Sequence, residues 1–133
     1  CIRDRYCHTQ QIRDLESDQI RYGWRLVHAP VSEAWEYVND QYSFLGTKRT
    51  GPDLSRVGGK YSSEWHWSHF KNPRNMGEQY ESPNGKYQAA SIMPSYAYLS
   101  DDEIKDLTAY IQTLGRNKDW RVIDGEPLND YEK

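Results

Sequence analysis

The chain has 133 residues, a length that suits one domain. Only 36% of them are apolar, below the usual share of about 45–50%, and mean hydropathy is −1.03. A chain so short of Leu, Ile and Val predicts a thin core that leans on a bound group, a metal or a partner. The formal net charge of −3 carries no basic cluster that would suit nucleic acid. No apolar run approaches the roughly 18–20 residues of a membrane span.

Residues 1–13 (CIRDRYCHTQQIR) predict a short helical or turn segment. The chain opens on Cys1 rather than Met, so it is expected to start after processing or after a further segment. Residues 14–45 are mixed and aromatic, with a short helix expected over Val31–Asn39 and Ser32 as its cap. Residues 46–60 (GTKRTGPDLSRVGGK) carry four glycines and a proline and read as loop. Ser62 and Ser63 are placed to cap a helix over SEWHWSHFKN, which Pro73 stops.

Residues 74–98 are expected to be irregular, with the polar, aliphatic-free stretch Glu78–Gln88 as a surface excursion. Residues 100–114 give the clearest helix. Ser100 and Glu103 form a capping box, Asp101 and Asp102 suit the positive end of the dipole, and Gly115 stands at the C′ position. Ile104, Leu107, Ile111 and Leu114 make one apolar stripe at helical spacing. The expected organisation is one domain over 1–115 and a polar tail over 116–133, with no repeat, no low-complexity tract and no strand pattern of convincing length.

Three features carry chemistry. Cys7-His8 pairs a thiol, which adds to a haem vinyl group in c-type cytochromes, with an imidazole able to ligate the iron. The usual motif has another cysteine three residues before the first; Asp4 stands there. Alone, the incomplete motif reads rather as a free cysteine beside a surface histidine. Gly51-Pro52-Asp53-Leu54 is a loop whose proline suits packing on the proximal ring and whose carbonyl can accept from Nδ1–H, fixing the tautomer; the plain alternative is an ordinary turn. Met93-Pro94-Ser95-Tyr96 precedes the capped helix and offers a thioether as sixth ligand. Its alternative is a core methionine, and Met76 is the rival ligand. The order of these parts resembles the class I cytochrome c plan, a mainly α fold of few helices and long loops around one haem.

More of the chain carries a closer resemblance: CHTQQIR from Cys7, Arg21-Tyr22-Gly23, the stretch KRTGPDLSRVGGKY over 48–61, Trp65-His66, Asn72-Pro73-Arg74 and MPSY from Met93 occur in order. This is similar to the mono-haem cytochrome c subunit of cbb3-type haem-copper oxidases, over about residues 7–99. The resemblance implies an electron carrier rather than an enzyme in itself, on the periplasmic side of a bacterial inner membrane or otherwise exported. Its expected partners are a donor cytochrome and an integral-membrane acceptor subunit. It implies one haem c, with His8 and Met93 as axial ligands and Cys7 as one thioether. Pro52, Leu54 and Tyr96 are then pocket residues. Lys48, Arg49, Arg56 and Lys60 are candidates to neutralise the propionates, with Tyr22, Tyr61 and Trp65 as further donors; each charge reads equally as a solvated loop residue.

The chain also departs from that family. A short deletion before Cys7 is expected to have removed the first cysteine, residues 79–90 look like an insertion, and a helix and tail continue past the best-matching part. The chain is therefore open to being a relative recruited to another complex. Cys1 has three readings: a second thioether through an extended loop, a free or disulfide-bonded bystander, or a lipidated N-terminal cysteine. Membrane association would run through that lipid or through an N-terminal segment. Two other functions compete: a haem-based sensor in which a small ligand displaces Met93, and a zinc-stabilised domain using Cys7, His8, His66 and His69.

Overall fold

A computed structural model describes residues 4–24, 27–76, 79–82, 85–88, 91–115, 122–123 and 126–127; for 4–5 and the four strands named below it describes the backbone alone. Cys1 and most of the 116–133 tail lie outside the described residues. The fold is mainly α, with short two-stranded sheets. The chain divides into two compact units, residues 1–60 with 111–133, and residues 61–110.

The first unit begins with one helical turn, α1 (Asp4–Cys7), followed by α2 (Glu16–Tyr22). Sequence patterning does not predict α2, because its inward face is Asp18 and Tyr22 while Leu15 and Ile20 are exposed. There is no apolar stripe to read. Glu16 and Asp18 in its first turn and Arg21 in its last still match the helix dipole. Ile12, Tyr22 and Ala29 form the small buried cluster. Ala29 N–H donates to Gln19 O at 2.8 Å, and Trp24 and Val27 pair across a short bridge.

The helix expected over Val31–Asn39 is instead a single 3-10 turn, Ala34–Tyr37. Ser32 is not its cap. Ser32 pairs with Ile12 twice, donating its N–H to Ile12 O and accepting the Ile12 N–H on Oγ, both at 2.9 Å. Glu33 takes the cap and forms a capping box with Glu36.

In the second unit, α3 (Ser63–Lys71) starts at Ser62, whose Oγ accepts from Trp65 N–H at 3.1 Å. It ends at Asn72, before the fully buried Pro73. The stretch expected to be an irregular excursion is a hairpin: β1 (Gln79–Ser82) and β2 (Gly85–Gln88) are antiparallel, with Tyr80 opposite Tyr87 and Glu81 opposite Lys86. Neither strand carries an aliphatic residue, so no alternation of apolar residues announces it. Another hairpin, in the first unit, pairs β3 (Val122–Ile123) with β4 (Glu126–Pro127).

Helix α4 (Asp101–Thr113) runs from the second unit into the first. Its capping box is formed: Ser100 N–H donates to Glu103 Oε2 at 2.8 Å and Glu103 N–H to Ser100 Oγ at 3.3 Å. The buried face is Ile104, Thr108, Ile111 and Gln112, with Leu107 and Leu114 half-buried. Thr108 is accommodated because its hydroxyl donates to Ile104 O at 2.8 Å. Gly58 and Gly59 lie against the end of this helix, donating to Leu114 O at 2.9 Å and Gln112 Oε1 at 2.8 Å. A Cβ on Gly58 would come within 2.4 Å of Leu114 O.

Candidate functional site

Cys7 closes α1 as a half-buried free thiol, and His8 follows it directly. Asp4, three residues earlier, opens the same helical turn. His8 Nδ1 lies 2.7 Å from Pro52 O. A carbonyl only accepts, so Nδ1 carries a proton, and in the neutral ring Nε2 is the nitrogen with the lone pair. Two backbone bonds flank this contact: Gly51 N–H donates to Cys7 O at 2.6 Å and Leu54 N–H to Thr9 O at 2.9 Å. Gly51 is flush with the ring, for a Cβ there would stand 2.3 Å from His8 Cε1 and 2.7 Å from Nδ1. The loop thus holds the imidazole by one face and one edge, as a metal-ligating histidine requires.

The expected propionate cations lie among other partners. Arg49 is nearly buried. It donates to Gln11 O at 2.8 Å, to Gly46 O at 3.1 Å and to the Thr9 hydroxyl, and it pairs with Asp18 at 3.2 Å and Asp53 at 3.6 Å. Asp18 also receives Arg13 through Nε at 2.7 Å and Nη2 at 2.8 Å. The Arg13 hydrogen bond is the main reason that the Asp18 carboxyl is pulled down to about 2. Arg56 is turned to Glu36, with contacts of 2.5 and 2.7 Å, and to Pro30 O. Lys60 Nζ donates to Tyr22 O at 2.6 Å and Gly23 O at 3.0 Å. Lys48 is exposed. Tyr22 Oη and Arg49 Nε are buried without a hydrogen-bond partner, and the Arg49 guanidinium carbon stands 5.4 Å from the Tyr22 ring centre.

Sequence reasoning passed over Asp53 as a site residue. Its carboxylate is fully buried and accepts from the Thr9 hydroxyl at 2.8 Å, Gln11 N–H at 2.9 Å and Ser55 N–H at 2.9 Å. The signal was its place inside GPDL, beside Pro52.

In the second unit the aromatics of α3 are ordered. Tyr61, Trp65 and His69 stack in turn, at 4.1 Å and 4.7 Å between centroids. His66 is only 3% exposed, and burial lowers its pKa to about 4, with His69 adding to the shift. Its Nε2 has no hydrogen-bond partner. The MPSY segment is seated on the end of α3. Tyr96 N–H donates to Phe70 O at 2.8 Å, Ser95 Oγ to Lys71 O at 2.5 Å, and the rings of Phe70 and Tyr96 meet edge to face. Met93 and Met76 are both half-buried.

Among the described residues, no three His, Cys, Asp or Glu side chains gather as a metal site, and no helix is long and apolar enough to cross a membrane. What does fit a haem is local: a histidine with Nδ1 held and Nε2 presented, a thiol beside it, and a glycine pressed on the ring. The model of a family described as "Cytochrome C oxidase, mono-heme subunit/FixO" matches residues 2–114. No curated protein matches the chain.

Proposed function

The chain belongs to the mono-haem subunit family of cytochrome c oxidases, and on that premise we propose that it carries one haem c between His8 and Met93 and passes electrons from a donor cytochrome to a membrane-embedded acceptor subunit. The family is that of a haem-containing electron-transfer subunit. The observation that carries it is the His8 Nδ1–H bond to Pro52 O beside the flush Gly51.

Haem, when bound, supplies a one-electron iron couple. His8 offers Nε2 to the iron while Pro52 fixes its tautomer and raises its basicity. The Cys7 thiol would hold the porphyrin edge as a thioether, its sulfur and its hydrogen both being taken up by a vinyl group, so that no oxidant is needed. Cys1 stays open as a second attachment point, and the pyridine haemochrome spectrum counts the vinyls consumed. With a haem in place, Met93 would offer its thioether to the iron, a soft ligand that favours electron transfer over substrate chemistry. Tyr22 Oη and Arg49 Nε, buried without partners, suit donation to a propionate.

Carbon monoxide tests the ligand pair. Reduced wild type is expected to resist it, Met93→Ala to bind it readily, and Met76→Ala to behave as wild type. Rapid binding by the wild type would favour a haem-based sensor instead, and a colourless purified protein would overturn the haem reading altogether.

A further inference from the structure

The segments Cys7–Gln11 and Gly51–Ser55 lie side by side, and the His8 ring reaches across them to Pro52. Backbone bonds join them before the ring at Gly51–Cys7 and after it at Leu54–Thr9. Around the ring the register is also held by side chains, and among the described residues Asp53 is the one from the Pro52 loop that grips both Thr9 and Gln11. We propose that Asp53 is the positioning residue of the proximal hydrogen bond, setting the His8–Pro52 contact and through it the reduction potential. This rests on reading His8 as the iron ligand.

Asp53 follows Pro52 in the chain, and its Oδ2 grips the hydroxyl of Thr9, the residue after His8. The same oxygen takes Gln11 N–H, while Oδ1 takes Ser55 N–H within its own loop. One carboxylate therefore clamps the residue after the donor to the residue after the acceptor. Arg49 stands 3.6 Å from Oδ2 and donates to the Thr9 hydroxyl, so the buried charge is compensated where it sits. An amide cannot replace it, because its NH2 group would face a donor. Asp53 acts through Pro52 and Thr9. When the clamp loosens, Nδ1–H loses its fixed acceptor, Nε2 becomes a poorer donor, and the oxidised iron is less well stabilised. The potential then rises, in the same direction as removal of a nearby negative charge.

The test uses the haem-loaded full chain, reading the reduction potential and the solvent exchange of the His8 Nδ1 proton by NMR in the reduced state. Asp53→Asn is expected to raise the potential and to speed exchange about tenfold, the size expected of one lost hydrogen bond. Thr9→Val keeps the charge, removes one grip, and is expected to move both readouts the same way by less; it carries the test if Asp53→Asn fails to take up haem. Asp40→Asn removes an equal charge from an exposed site and is expected to leave the exchange rate unchanged. Wild-type exchange in both Asp53→Asn and Thr9→Val overturns the role of Asp53 alone. A wild type with no imidazole-ligated haem spectrum overturns the reading of His8 beneath it.

Discussion

Gly51 leaves no room for a methyl group against His8: the added carbon would sit 2.3 Å from Cε1 and 2.8 Å from Nε2. The backbone there cannot retreat easily, since Gly51 N–H is bonded to Cys7 O. The ring would have to swing, and a swing breaks the bond to Pro52 O. Gly51→Ala is therefore expected to cut haem content per chain severely, about tenfold for a loss near 1.4 kcal/mol in the binding-competent state. Haem absorbance per mole of purified protein measures it. Full haem content with the wild-type spectrum would contradict the packing.

Arg56 is 4% exposed and faces Glu36 with two nitrogens. Removing it leaves a mostly buried carboxylate without its cationic partner, a change that costs about 3 kcal/mol. Arg56→Ala should lower the melting temperature by roughly 10 °C for a domain of this size with little change in reduction potential. Arg56→Lys should recover only part, because a single ammonium cannot match the paired geometry. A large shift in potential with an unchanged melt would mean that Arg56 acts on the haem rather than on Glu36.

What could be read from the sequence was what is encoded locally. Helices α3 and α4 have a serine cap at one end and a Pro or Gly stop at the other, all within a few residues. GPDL pointed to Pro52 as the partner of His8, although 44 residues separate them, because a loop proline lacks an N–H and leaves its carbonyl to accept from the ring. Where no aliphatic pattern runs through a segment, the reading failed: α2 buries Asp18 and Tyr22, and in the hairpin Tyr80 stands opposite Tyr87. It also missed partners distant in sequence. Arg49 meets Asp18 across 31 positions and Arg56 meets Glu36 across 20, and nothing in the local pattern of either arginine names its acid. Gly58 and Gly59 read as a loop, yet their place is set by the end of α4.

His66 gives the fold a predicted pH dependence. Packed against Phe70 and Trp65, it is held near pKa 4 by burial. In the unfolded chain the same ring titrates near 6.5. Between those values the unfolded state binds the extra proton, so stability rises with pH across the window. The contribution is complete above about pH 6.5 and is lost progressively as pH falls towards 4. His66→Phe keeps a ring against Phe70 and has no proton to bind. Denaturant titrations at pH 7 and pH 4.5 should show the wild type losing about 2 kcal/mol more than the variant between the two conditions. Equal losses in both proteins would show that His66 is charged in the folded state and that its burial does not govern its protonation.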